Sequence, residues 1–136
     1  MNISKEALLN LFYEKDLDKG LKIFYEKFGP SIRSEYCMDD EDIVDLDWES
    51  YGVVVTIIDL KIEQIRLSIN SSDTGSFDGW IGDEVSATSD KESITNFYGK
   101  DEHFVYDKGS YQISFEFDDN RLIYVNLNKK KNFNLI

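Results

Sequence analysis

A repeated pattern of alternating apolar residues constrains the fold of this chain more than any other feature. Residues 43–70 align with residues 101–128 after a shift of 58 positions, without a gap. Few aligned residues are identical, but the apolar positions coincide. Apolar residues at every second position are typical of strands with one buried face. The repeat therefore predicts two three-stranded antiparallel meanders, with strands at about 43–48, 51–58 and 62–70 and at about 103–107, 110–117 and 121–128.

Two helices are predicted before the first copy. The first follows the N-cap candidate Ser4 and reaches about Lys15. The second begins at Asp16 or Asp18 and ends at Gly29, because the proline that follows cannot continue a helix. Its apolar stripe has the helical 4-3-4 spacing and consists of Leu17, Leu21, Phe24 and Phe28.

The remaining segments are predicted to connect these units. Residues 30–42 are interpreted as a loop. Residues 71–88 join the two copies and carry three apolar residues expected to pack a short strand on the sheet: Phe77, Trp80 and Ile81. A short helix begins at Ser89, in a capping box with Glu92, and ends at Gly99. Residues 129–136 are predicted to add an edge strand.

These elements predict a single α+β domain over residues 1–136. It combines two N-terminal helices with a duplicated unit, which consists of a helix and a three-stranded meander. The result is a mainly antiparallel sheet. Whether the two copies form one sheet or two, and which oligomeric state the chain adopts, does not follow from the sequence.

The charge of the chain restricts its partners. With 15 basic and 27 acidic residues, the formal net charge is −12 at pH 7. Such a chain repels phosphates and anionic lipids, so nucleic-acid and membrane partners are disfavoured. It attracts basic proteins, although solubility alone also explains the charge. The sequence has no signal-peptide-like or membrane-spanning apolar run and only one cysteine, which predicts a cytoplasmic protein without disulfides.

The acidic residues are densest at the start of the first copy, where they form the candidate partner-binding site. Seven of the eleven residues 39–49 are acidic: Asp39, Asp40, Glu41, Asp42, Asp45, Asp47 and Glu49. In the strand at 43–48, apolar residues alternate with Asp45 and Asp47, so these carboxylates are predicted to lie on the face opposite the core. Tyr51 and Trp80 are predicted to supply aromatic anchors beside them.

The two copies differ on their second face. At equivalent positions the first copy has Val54, Thr56 and Ile58, and the second has Gln112, Ser114 and Glu116. The polar set is typical of a solvated face. The apolar set is either covered by the N-terminal helices, which is the expected arrangement, or forms an exposed patch bordered by acids. An exposed patch would favour a module that binds a small molecule or a peptide.

No catalytic or metal-binding constellation is predicted. The tetrapeptide at 73–76 spells the Asp-Thr-Gly-Ser of aspartic proteases, but no second copy exists, and a polar turn explains it better. His103 has no partners at metal-ligand spacing and is predicted on the surface. The acids around Cys37 disfavour a reactive thiolate. A calcium loop at 16–27 fails because Lys27 occupies its last ligand position. We therefore expect a non-enzymatic protein without cofactors.

The tandem of helix and antiparallel sheet resembles the architecture of the beta-lactamase inhibitor protein and its relatives, which are small binders that block a partner with a sheet surface. In its size, its acidity and its lack of a predicted catalytic site, the chain resembles the immunity proteins of bacterial toxin systems, such as contact-dependent inhibition and polymorphic toxins. That resemblance implies a cognate basic toxin, commonly a nuclease, as the partner. Residues 39–49 would then occlude the toxin's active site.

Overall fold

The computed structural model describes residues 3–130, which form an α+β fold as predicted. The helices are α1 (Lys5–Asn10), α2 (Leu17–Phe28) and α3 (Lys91–Tyr98). The strands are β1 (Ile32–Met38), β2 (Glu41–Trp48), β3 (Val53–Ile58), β4 (Lys61–Ser68), β5 (Val105–Asp107), β6 (Tyr111–Asp118) and β7 (Arg121–Lys129). The part of the predicted C-terminal edge strand beyond residue 130 lies outside the described residues.

All seven strands form one antiparallel sheet in the order β1-β2-β3-β4-β7-β6-β5. The two copies of the repeat therefore join edge to edge through β4 and β7. Five residue pairs make this junction, from Gln64 opposite Asn128 to Ser68 opposite Tyr124. The edges of the sheet are β1, which has seven residues, and β5, which has three.

The three helices pack on the same face of this sheet. The ring of Phe24 in α2 lies 5.5 Å from that of Trp48 in β2, and the ring of Tyr98 in α3 lies 5.1 Å from that of Phe115 in β6. α1 contributes Leu8 to the same core. The sheet contributes buried alternate residues to it: Leu46, Trp48, Val53, Val55, Ile57, Ile62, Ile65, Leu67, Tyr111, Ile113, Phe115, Leu122, Val125 and Leu127.

The helix termini follow from local capping. The Ser4 hydroxyl accepts a hydrogen bond from the Ala7 amide, and the Asp16 carboxylate accepts one from the Lys19 amide. α2 ends at Phe28 with Gly29 as its C-cap, as predicted. α1 ends at Asn10, before the predicted end. The capping box of α3 uses Asp90 and Ser93, one position later than the predicted pair.

The prediction of a loop over residues 30–42 was wrong, because β1 lies in this range. β1 and β2 form a hairpin whose turn consists of Asp39 and Asp40, with φ of 53° and 64°. Two successive residues in the left-handed region are typical of a two-residue hairpin turn. Every residue of β1 is exposed, so this strand has no buried face to reveal it in the sequence.

The shift between the two copies also differs from the predicted 58 residues. The bulge in the β3–β4 hairpin lies between Thr56 and Ile57, and the bulge in the β6–β7 hairpin lies between Glu116 and Phe117. The hairpins therefore correspond with a shift of 116 − 56 = 60 residues. Shifts of 58 and 60 preserve the same alternation, because the side-chain period of a strand is two residues.

The expectation that the N-terminal helices cover Val54, Thr56 and Ile58 was also wrong. The helices pack on the face of Trp48, which is the face of its pairing partner Val53. Neighbouring residues of a strand point to opposite faces. The face with Val54, Thr56 and Ile58 is therefore opposite the helices, and these three residues are only partly buried.

The Asp-Thr-Gly-Ser segment forms a packed turn. The Gly75 amide donates a hydrogen bond to the Glu49 carbonyl oxygen at 2.9 Å, and the Ser76 hydroxyl accepts one from the Asn70 amide. A Cβ atom on Gly75 would lie 1.9 Å from the Ser50 carbonyl oxygen. Glycine is thus required here by the close approach of two backbones.

We expect Gly75→Ala to lower the free energy of unfolding by about 2 kcal/mol or more, because a methyl group must displace the Ser50 backbone. Gly20→Ala is the matched control. Its Cβ would lie 3.4 Å from the nearest side-chain atoms, and alanine favours the helix by up to about 1 kcal/mol. Urea unfolding of both variants measures the difference, and equal stabilities would contradict this account of the turn.

Candidate protein-binding surface

The sheet face opposite the helices presents an apolar patch edged with carboxylates on strands β1 to β3. We call this surface the open face. The strand register places six apolar residues on it: Ile32, Tyr36, Met38, Ile43, Val54 and Ile58. The same register places Glu41, Asp45 and Asp47 among them. The predicted position of Asp45 and Asp47 opposite the core is therefore observed.

The apolar part of the open face is separate from the hydrophobic core. Ile43 lies directly opposite Tyr36 on one side and Ile58 on the other, and only 9% of it is exposed. At the sheet edge, Ile32, Tyr36 and Met38 are 60%, 44% and 58% exposed. Large apolar side chains clustered on an exposed surface are typical of interaction sites.

Asp45 is held in place by two hydroxyl groups. Its carboxylate accepts a hydrogen bond from the Thr56 hydroxyl at 2.7 Å and one from the Tyr36 hydroxyl at 2.9 Å. The second bond raises the pKa of Tyr36, because the carboxylate stabilises the protonated phenol. Asp45 thus connects β1, β2 and β3 and has a fixed orientation.

Asp47 lies between apolar neighbours. It pairs with Ile32 on one side and with Val54 on the other. Partial burial raises the pKa of the Asp47 carboxyl group, and the charges of Glu49 and Asp45 raise it further. Ionisation of Asp47 is therefore less favourable than that of an exposed aspartate, and a cation from a partner would stabilise the ionised form.

None of the seven acidic residues at 39–49 forms an ion pair with any residue in the range 3–130. The five ion pairs observed there use other residues, among them Arg33 with Glu35 and Arg66 with Glu116. Asp39 and Asp40 lie at the hairpin tip. The acidic residues of this segment are consequently available to an external cation.

The acids do not form one continuous face. The side chain of Asp42 points to the same face as the helices, because Asp42 precedes Ile43 in the strand. Glu49 follows the end of β2 in a short 3-10 helix, at the end of the strand opposite the hairpin tip. The open face and the hairpin tip together hold the remaining five carboxylates: Asp39, Asp40, Glu41, Asp45 and Asp47.

The structure does not bring the two predicted aromatic anchors to the open face. Tyr51 stacks on Phe28 of α2, with ring centroids 4.5 Å apart. The Trp80 indole donates a hydrogen bond to Asp83 and lies under the Lys5 ammonium group, against the core. The aromatic residue beside the carboxylates is Tyr36, which the sequence interpretation placed in a loop.

The other half of the same sheet face is polar and internally neutralised. The Arg66 guanidinium donates to Glu116 at 2.5 Å and to the Asn126 side-chain oxygen at 3.0 Å. It also lies 4.1 Å above the Tyr124 ring. The Arg66 guanidinium therefore pairs with residues of β6 and β7 and forms no ion pair with Asp45 or Asp47.

Among residues 3–130 the structure places the other candidate residues of the sequence on the surface or in turns. Over residues 3–130 no three metal-ligating side chains cluster, and His103 and Cys37 are exposed. In the same range no helix is long and apolar enough to cross a membrane.

A cavity of about 760 Å³ lies between the α1–α2 connection and the β3–β4 turn. Its walls include the apolar residues Leu11, Phe12, Leu17, Leu60 and Ile62. Its rim includes both acidic and basic side chains: Glu14, Asp59, Lys15, Lys61 and Lys129.

Comparison with known proteins does not assign the chain to a family. No protein-family model, curated protein or solved structure matches it. The resemblance to immunity proteins and to the beta-lactamase inhibitor protein therefore stays a prediction.

We expect Asp47→Asn to raise the melting temperature at pH 7, by on the order of 2 °C. The folded pKa of Asp47 is raised, so its ionised form destabilises the folded state at neutral pH. The advantage of the variant should shrink as the pH falls through that raised pKa towards the ordinary value of 3.8.

Asp39→Asn is the control, because it removes the same charge at the exposed hairpin tip. A smaller gain from Asp39→Asn would separate the burial of Asp47 from general relief of the net charge. Equal gains from the two variants would contradict the local explanation.

Proposed function

We propose that this protein is a non-enzymatic immunity protein. It would neutralise a basic bacterial toxin of the nuclease class by occluding the toxin's active site with its open face. The observation that carries the proposal is that the carboxylates around the apolar patch have no ion-pair partner among residues 3–130. An apolar centre with a charged rim is the usual anatomy of a specific protein interface.

The charge of the site favours a protein partner over other classes. Asp45 and Asp47 would repel a phosphate backbone, whereas lysine and arginine side chains would pair with them. Such pairs accelerate encounter and fix the orientation of the complex. Burial of the ionised Asp47 is unfavourable in the free protein, and an arginine fork would offset that cost.

The apolar residues supply the part of the affinity that charge does not. Ile43 lies at the centre of the patch, and beside it at the sheet edge the orientation of Tyr36 is fixed by its hydrogen bond to Asp45. Rigid aromatic residues in a desolvated centre commonly dominate binding energy. A toxin would therefore place an apolar side chain over Ile43 and basic side chains over the acids around it.

Neutralisation would follow from occlusion. A nuclease holds its phosphate substrate in a groove lined with basic side chains. The hairpin tip with Asp39 and Asp40 projects beyond β3 and could enter such a groove, while the open face covers its border. Substrate and inhibitor would then compete for the same cations.

We expect capture from the native host lysate at low salt to retain one basic protein in near-stoichiometric amount. Its toxic domain, expressed in a bacterial host, should arrest growth, and co-expression of this chain should restore growth. Rescue without direct binding, or binding without rescue, would contradict the proposed function.

The contribution of the open face and the hairpin tip is tested by a charge variant with four substitutions: Asp40→Asn, Glu41→Gln, Asp45→Asn and Asp47→Asn. We expect association with the captured toxin to slow about tenfold or more at low salt, because electrostatic steering is lost. Stopped-flow or surface-based kinetics measure the rate.

A matched variant changes four remote acids: Glu92→Gln, Glu102→Gln, Asp118→Asn and Asp119→Asn. Both variants change the net charge from −12 to −12 + 4 = −8. The remote variant should retain most of the association rate. Equal slowing of both variants would assign the effect to net charge and would remove the open face from the interface.

A second candidate function, binding of a small molecule or a peptide, is favoured by the cavity rather than by the surface around Val54 and Ile58. Its volume of about 760 Å³ is within the range of ligand pockets. A ligand screen by NMR should then shift the resonances of Leu60 and Lys61. A ligand that shifts the resonances of Val54 and Ile58 instead would show that the binding site is the open face and not the cavity.

A further inference from the structure

The outer edge of β1 is an unpaired sheet edge over residues 3–130. In the described part of the chain no strand pairs with β1 on the side away from β2. Protein sheets usually protect such edges with charged side chains, proline, bulges or short strands, and the charged residues of β1 are Arg33 and Glu35. β1 has seven residues, contains no proline or lysine, and pairs with β2 in an uninterrupted register. The opposite edge, β5, has only three residues.

The side chains on both faces of β1 are exposed and can contact those of a strand that pairs with its outer edge. All of its residues are exposed, from Ile32 to Met38. Its apolar side chains lie on the open face, and Arg33 and Glu35 lie on the face of the helices, because they pair with Leu46 and Val44. The Arg33–Glu35 ion pair within one chain has side chains that are 57% and 67% exposed, so it contributes little to stability.

The sequence of β1 is complementary to itself in one antiparallel register. We propose that two copies of this chain associate through their β1 edges, with Ser34 opposite Ser34 of the second copy on a two-fold axis. Arg33 of each copy then lies opposite Glu35 of the other, and Ile32 lies opposite Tyr36. Opposite charges and aromatic–aliphatic pairs are both favourable across antiparallel strands. A two-fold interface requires such self-complementarity.

The neighbouring registers are unfavourable. A continuous sheet requires that residues on the same face oppose each other, so the axis must pass through a residue. An axis at Arg33 places the two arginines opposite each other, and an axis at Glu35 does the same with the two glutamates. An axis at Tyr36 pairs Glu35 with Cys37 and places Arg33 opposite Asp39, which lies in the hairpin turn beyond the end of β1. Only the Ser34 register pairs Arg33 with Glu35 within the strand in both copies.

The carboxylates of the two open faces remain far apart in this association. In the Ser34 register, the two Asp45 carboxylates are separated by three strand spacings, or about 14 Å. This distance exceeds the screening length of about 8 Å at physiological salt. The two sheets would form one continuous sheet of fourteen strands, twice the seven of a single chain, with the two open faces side by side at its centre. The inference does not depend on the proposed function, because it concerns the chain alone.

Sedimentation of the purified chain tests the association. An edge-to-edge contact is small, so we expect the mass to rise with concentration from 15.8 kDa towards twice that value. Arg33→Glu alone and Glu35→Arg alone should each sediment as monomers, because each places two pairs of like charges across the axis. An equimolar mixture of these two variants should form a heterodimer, since every pair is then opposite in charge.

Circular dichroism of each variant verifies that it is folded, and a disulfide reports the register. In a Cys37→Ser background, Ser34→Cys should form a disulfide-linked dimer, because the two Cα atoms would lie about 5 Å apart. Ile32→Cys in the same background should not, because its counterpart would lie four residues away along the strand.

A parent chain that stays monomeric at millimolar concentration would overturn the proposal and assign the edge to a strand of another protein. A mixture that does not dimerise, or equal cross-linking at 32 and 34, would also overturn it.

Discussion

The pairing of β4 with β7 is the interaction on which the rest of the structure depends. Ile65 and Leu67 of β4 face Leu127 and Val125 of β7, and all four side chains have no exposed surface. This seam joins two hairpins into one sheet and places their apolar residues on one side. A slip of one residue would turn one half of the core towards solvent. Because the seam is in register, α1, α2 and α3 can share a single core.

Because the helices cover only one face of the sheet, the two copies of the repeat can differ in sequence on the other face. Around the seam this face is polar, and Arg66 is neutralised there by Glu116. On β1 to β3 the same face has apolar residues at its centre and carboxylates without ion-pair partners among the described residues. The two halves arise from one repeated pattern, so this difference is not required by the fold. The apolar and acidic residues on β1 to β3 have no counterpart in the second copy, which is consistent with a role in binding.

The core could be predicted from the sequence because burial imposes an alternation that survives in the residues. Capping residues such as Ser4 and Asp16 also marked helix starts. β1 was missed because no residue of this strand is buried. The shift of the repeat was two residues short, because alternation cannot distinguish 58 from 60. Bulges fix the register, and they depend on backbone geometry that composition does not reveal.

The candidate site was predicted in part for the same reason. Alternation with Leu46 and Trp48 placed Asp45 and Asp47 on the outer face. It could not show which face the helices cover, because either side of the first copy is apolar enough to be buried. Trp80 was predicted as a surface anchor, but tertiary contacts with Lys5 and Asp83 hold it against the core.

The exposure of the face that carries Val54 and Ile58 is the central claim, and solvent paramagnetic relaxation of methyl groups measures it directly. Val55 and Ile57 are adjacent in the same strand but face the helices, so they serve as internal references. A soluble gadolinium chelate should broaden the methyl signals of Val54 and Ile58 and leave those of Val55 and Ile57 sharp. Equal protection of all four residues would show that the face is covered and would contradict this account of the binding surface.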